Sequence, residues 1–229
     1  MVPALTAEQQ VSAVAARLKD HNPGFGGQVA SKIEKGLVTE IGIGGTVTDL
    51  SPLRALVGLK ALSCGGPLTD LSPLKGMKLT ALTLNCNHLR DLLPLKGMRL
   101  TALTLSSRQL CDLSPLQGMP LTSLDIGGWV GNSSRVQDLS PLKGMPLTTL
   151  NVRCNPVRDL TPLRGMPLTS LELGLTPVKD LTPLKGMKLT TLHLHNCTEL
   201  RDLAPLKDMP LKTLNLGRQL TGLPIGGAE

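Results

Sequence analysis

Aromatic residues are almost missing from this chain of 229 residues: one Phe, one Trp and no Tyr. A core of ordinary shape mixes aromatic, β-branched and leucine side chains to fill irregular space. Here leucine supplies 49 positions, which implies one packing environment repeated many times. The shortage of aromatics also argues against base stacking on single-stranded nucleic acid and against an aromatic cage for a cation. No run of about 18 apolar residues is present, so no membrane span is expected. The opening MVPALTAEQQ has no basic start followed by an apolar stretch, and no secretory signal is read in it. Five cysteines make an odd count without CxxC spacing, which fits free thiols in a reducing compartment. A cytoplasmic location is expected.

What is abundant is self-similarity. Asp-Leu-x-Pro-Leu occurs eight times, with prolines at Pro52, Pro73, Pro94, Pro115, Pro141, Pro162, Pro183 and Pro205, spaced 21, 21, 21, 26, 21, 21 and 22 residues apart. Between these anchors runs Leu79-x-x-Leu82-x-Leu84-x-x-Asn87-x-Leu89, which recurs as Leu147, Leu150, Val152, Asn155 and Val157. Leu82 and Leu84 lie two apart and so share one face of a short strand, with Ala81, Thr83 and Asn85 on the other. Asp91 to Met98 reads as a tight helical turn capped by Asp or Ser/Thr, with Pro at its first position and a left-handed Gly at its end. Seven methionines, from Met77 to Met209, share one repeat position and read as core filler.

One such unit cannot bury its apolar face alone, but a stack can. The expected fold is an α/β leucine-rich-repeat solenoid: a parallel β-sheet on the concave face, short helical or 3-10 turns on the convex side, and an N-terminal helical cap. The pattern LxxLxLxxNxL followed by DLxPL resembles bacterial leucine-rich repeats of the internalin-like subclass, from residue 37 to about 225. The Lys-Gly-Met version is also similar to repeat regions of bacterial proteins that carry Ser/Thr kinase domains, although this chain has no HRD and no DFG. The resemblance implies a binding scaffold rather than an enzyme.

Residues 1–36 do not repeat and are read as a cap. Thr6-x-x-Gln9 forms a capping box, Val11, Val14, Ala15 and Leu18 fall at helical spacing, and two extended segments flank Glu34-Lys35-Gly36. Residues 37–229 hold about eight repeats of 21–22 residues. Leu214, Leu216, Leu220 and the stretch Leu223-Pro224-Ile225 read as a degenerate last strand and turn. The spacing of 26 marks a five-residue insertion within 127–135, expected to bulge from the rim of the sheet face with the sole Trp, Trp129, on it.

Strand positions facing away from the leucine core are small and uncharged in the first half of the chain. In the second half they gather Asp125, Asn151, Arg153, Glu172, His193 and His195. With Trp129 these are the expected partner-binding residues, since loops carrying a rigid aromatic and polar groups on rigid strands suit recognition of another protein. His193-x-His195 with Glu172 one strand away gives the alternative, a small-ligand or metal-binding protein, but no complete ligand set is evident. Cys86-Asn87-His88 suggests a thiol and base, yet consecutive residues diverge, and Cys86 precedes its Asn as Cys154 does. No phosphate loop, carboxylate dyad or Ser/His/Asp set is present. A non-catalytic protein-binding module without cofactor or metal is the reading. The excess charge of +7 lies in the repeats, where Lys75, Lys96, Lys143, Arg164, Lys185 and Lys207 form a basic ladder. The composition disfavours nucleic acid as its partner.

Overall fold

A computed structural model describes residues 5–129 and 131–217. Helix α1 (Ala7–His21) opens the chain and is followed by strands β1 (Val29–Glu34) and β2 (Leu37–Ile43). Then come β3 (Ala61–Gly65), β4 (Ala81–Asn85), β5 (Ala102–Ser106), β6 (Ser123–Asp125), β7 (Thr149–Asn151), β8 (Ser170–Glu172), β9 (Thr191–His193) and β10 (Thr213–Asn215). All ten make one sheet in chain order; β1 and β2 pair antiparallel, and β2 to β10 run parallel. Each parallel crossover contains one 3-10 turn on the side away from the sheet, beginning with Ser51–Ala55 and Ser72–Leu74.

The strand phase follows the alternation of the sequence. Leu82, Leu103, Leu124, Leu150, Leu171 and Leu192 stand in one register row, each no more than 1% exposed. Thr83, Thr104, Asp125, Asn151, Glu172 and His193 form the neighbouring row on the open face. Five of the repeat methionines, from Met98 to Met187, are buried behind the turns, and Met77 and Met209 pack partly against the core.

The Asp of the repeat has a defined structural task. In all eight copies one carboxylate oxygen accepts the backbone N–H two residues on, at 2.7–2.8 Å, as Asp70 does from Ser72. Where the next polar residue is Ser51, Ser72, Ser114 or Ser140, its hydroxyl donates to the second oxygen. The cap position of each turn falls on the intervening Leu, as at Leu71, and carries no side-chain cap bond; the Asp before it braces the entry to the turn instead, and the serine supports the Asp. On the edge where each turn returns to the sheet, Thr80, Thr101, Thr122, Thr148, Thr169 and Thr190 donate their hydroxyls to the carbonyl of the preceding rung at 3.1–3.3 Å. The stack is thus fastened by side chains as well as by the sheet ladder.

Helix α1 lies over the first rung and buries Val14 and Leu18, and Phe25 just beyond it is buried too. Thr6 and Gln9 complete the capping box. Asn22 is 1% exposed: its amide nitrogen donates to the carbonyls of Leu18 and Asp49, and its oxygen accepts the N–H groups of Thr48 and Asp49. One buried amide thereby ties the helix end to the first Asp turn, with every polar atom satisfied. At the other end Leu211, Leu214 and Leu216 are partly buried against the core; Leu220 and Leu223–Ile225 lie outside the described residues.

The buried polar column differs from the sequence register. Cys86 is fully buried and Asn87 exposed, whereas Cys154 is half-buried and Asn155 fully buried. Cys86 and Cys154 are therefore not equivalent. From β7 onward an extra residue sits in left-handed backbone before the ladder position, namely Cys154 (φ 62°), Leu175 (φ 62°) and Asn196 (φ 58°). That residue shifts the inward position by one, so the column reads Cys86, Ser107, Asn155, Thr176 and Cys197. Each member meets a backbone carbonyl or amide, as Ser107 Oγ does at Leu89 O (2.6 Å) and Asn155 Nδ2 at Ile126 O (2.9 Å).

Candidate functional site

The open face is built from short strands whose ends are closed by their own side chains. Asp125, Asn151 and Glu172 each bend an oxygen back onto the backbone N–H two residues later, at Gly127 (2.9 Å), Arg153 (3.0 Å) and Gly174 (2.7 Å). Part of their polarity is spent ending the strand, a role that spacing alone did not reveal. The remaining oxygen of Glu172 lies 2.7 Å from Nδ1 of His193 on the adjacent strand. His195 Nδ1 lies 3.8 Å from the other Glu172 oxygen, beyond hydrogen-bond reach.

Two residues beyond each strand a size alternation runs across the sheet: Gly127, Arg153, Gly174, His195, Gly217. The glycines make room for their neighbours. A Cβ on Gly174 would overlap the imidazole of His195, and one on Gly127 would overlap the amide of Asn151. His195 is thereby laid across the rung of β8 toward Glu172. The bulk on one strand and the vacancy on the next are one device.

Asn151, Arg153, Glu172, His193 and His195 thus stand together on three consecutive strands, with Asp125 next to Asn151 in the same row. All are half-buried. Arg153 Nε and His195 Nδ1 are enclosed and have no hydrogen-bond partner. Burial pushes the Cys154 thiol up, and Arg153 beside it only partly offsets that. Burial likewise pushes Cys64 to about 12 and Cys86 to about 11. These are structural thiols with little thiolate at neutral pH. Among the described residues no group of three or more His, Cys, Asp or Glu is arranged to hold a metal ion.

The described residues of the insertion after β6 close on themselves. Trp129 and Asn132 exchange backbone hydrogen bonds (3.3 and 2.8 Å), with Gly131 between them in left-handed backbone. Gly128 donates its N–H to the carbonyl of Arg153 at 3.1 Å, so the turn abuts the charged cluster directly. Arg108 Nε donates to Asn132 Oδ1 (2.9 Å), and Ser134 is buried. Trp129 itself is 60% exposed. Behind the turn an open groove of about 610 Å³ is lined by Arg108, Arg135, Ser133, Asn155 and Cys154 among others.

Repeated turns braced by Asp, a leucine core and a continuous parallel sheet define a leucine-rich-repeat solenoid. No protein-family model and no curated relative matches the chain. Solved structures do: an internalin (inlF) from Listeria monocytogenes is 31% identical over 75% of this chain and 52% of its own, with a TM-score of 0.63. Internalin C2 from the same organism is 26% identical, over 88% of this chain and 91% of its own, with a TM-score of 0.72. The chain spans about half the length of the first of these and nearly all of the second. Its fold is a leucine-rich-repeat solenoid similar to those of these internalin structures. Among the described residues no helix is long and apolar enough to cross a membrane.

Proposed function

We propose that the chain is a non-catalytic interaction module that binds a partner protein through the β6–β9 half of its concave face together with the Trp129 turn. The carrying observation is the cluster of half-buried polar side chains on three adjacent strands, Asn151, Arg153, Glu172, His193 and His195, with Glu172 and His193 paired at 2.7 Å. The similarity to internalin structures supports an interaction role for the fold. Trp129 adds a large exposed aromatic at the border of the same surface, as binding hot spots do. Among the described residues of this face the one hydrogen-bonded histidine, His193, pairs with Glu172 and with no hydroxyl or thiol, which favours binding over chemistry. Five free cysteines, three of them buried, suit a reducing compartment, and we place the protein in the cytoplasm on that ground.

The test is affinity capture from the native lysate with the wild-type chain and with an Arg153→Ala/Glu172→Ala/His193→Ala variant, followed by identification of the retained proteins. A protein held in stoichiometric amount by the wild type and lost by the variant supports the reading. A protein held equally by both moves the binding surface elsewhere.

A further inference from the structure

Cations line one edge of this solenoid and come two to a rung on its first three rungs and again at Lys185 and Lys188. On the edge where each rung returns from its 3-10 turn to the next strand, segments 54–60, 75–80 and 96–101 hold Arg54, Lys60, Lys75, Lys78, Lys96 and Arg99 and no carboxylate. All six are exposed. Among the described residues none of them makes an ion pair. The opposite edge behaves differently: Arg158 and Lys179 both close on Glu199 at 3.0 Å.

Three grooves lie side by side between these rungs. The middle one, about 530 Å³, sets Lys75, Lys78, Lys96 and Arg99 around Met77 and Met98. One of about 310 Å³ adjoins it at Arg54, Leu56 and Val57, and Val57 is 80% exposed. The third, about 390 Å³, runs from Arg99 to Gln117 and Pro120, which replace both cations of the rung. Each groove has a floor of methionine or leucine; the first two are rimmed by cations without carboxylate partners, and the third keeps Arg99 alone. Rungs recur at about 4.8 Å along a sheet, so like charges stack closely and an anionic ligand would relieve their repulsion.

An apolar floor requires apolar groups on the ligand as well as negative ones. A phosphodiester chain offers charge without side chains to fill the grooves, and this edge has no aromatic on which bases could stack. We propose that the edge along β3–β5 is a second binding surface, which takes an acidic segment of a partner protein with apolar side chains between its carboxylates. It lies at the other end of the sheet from the Arg153–His195 cluster and does not depend on it.

The test uses the full chain and a labelled peptide of repeated Glu-Glu-Leu units, followed by fluorescence polarisation. Saturable binding is expected, weakened about tenfold or more by a Lys75→Glu/Lys96→Glu double variant. A peptide of Glu alone should bind more weakly, for want of groups to occupy the grooves. Lys143→Glu/Arg164→Glu should stay within about twofold of wild type, because Pro146 and Pro167 stand where those rungs would carry a second cation. Circular dichroism checks that each variant is folded. The proposal is overturned if the peptide does not saturate, if Lys75→Glu/Lys96→Glu binds it as the wild type does, or if oligothymidylate binds more tightly.

Discussion

Leu150→Ala tests the packing on which every other inference depends. Leu150 is 1% exposed and stands in register between Leu124 and Leu171. Shortening it removes three carbon groups from the core, a transfer loss of roughly 2–2.5 kcal/mol. The neighbouring rungs are pinned by the sheet ladder and by the Thr122–Thr148–Thr169 hydroxyl bonds, so the site has little freedom to collapse. The residual cavity should bring the total to about 3–5 kcal/mol. Thr149, one residue earlier, is exposed and its side chain faces the open sheet; Thr149→Ala should cost less than about 0.5 kcal/mol. Equilibrium urea unfolding followed by circular dichroism measures both. An unchanged m-value is needed for the comparison, since a repeat stack can lose cooperativity between neighbours. Equal losses at the two positions would refute the strand phase, and with it the assignment of which residues face a partner.

The other expectations concern titration, thiols and the turn. Hydrogen bonds from Ser72, Thr161 and Thr182 hold the carboxyls of Asp70, Asp159 and Asp180 below the usual range. The stability they contribute is present above the unfolded value of about 3.9 and is lost as pH falls through the folded values; Asp70→Asn should flatten that acid limb of a pH–melting curve. A thiol reagent at neutral pH should label exposed Cys111 at once, and Cys64, Cys86 and Cys197 only on unfolding; rapid labelling of Cys86 would contradict its burial. The single Trp makes intrinsic fluorescence a report on Trp129 alone: acrylamide should quench it readily in the free protein, and Trp129→Ala should leave the melting temperature nearly unchanged. Gly174→Ala should disturb partner binding more than stability, because the new methyl group evicts only the movable imidazole of His195.

The architecture was legible because a 21-residue period repeats one environment, and leucines two apart on a strand leave only one phase that buries them. The turn was legible but its cap was not: the expected Asp or Ser cap gives way to Leu71 and its equivalents, and Asp70 acts one residue earlier, on the N–H of Ser72 at 2.7 Å. The ladder residue was misassigned at Cys86 and Asn87 because repeats of equal length take two backbone routes, distinguished by a left-handed residue such as Cys154 that need not be Gly. The open-face residues were readable as a row, and the structure sets them side by side. Their partners across the rungs were not readable: the Gly127, Gly174 and Gly217 vacancies matter only relative to Asn151 and His195, more than 20 residues away in the chain. The Asn22 knot was hidden for the same reason, its five hydrogen bonds being split between Leu18 and the turn at 48–49.

Calorimetric titration of the captured partner against single-alanine variants along the concave face tests the functional account most directly. Thr83→Ala and Thr104→Ala sample the first half of the sheet, and Arg153→Ala, Glu172→Ala and His193→Ala sample the second. The account expects the first pair to leave affinity within about 0.5 kcal/mol of wild type, and at least two of the second set to cost about 2 kcal/mol or more. Losses concentrated at Thr83 and Thr104, with Arg153, Glu172 and His193 silent, would contradict it.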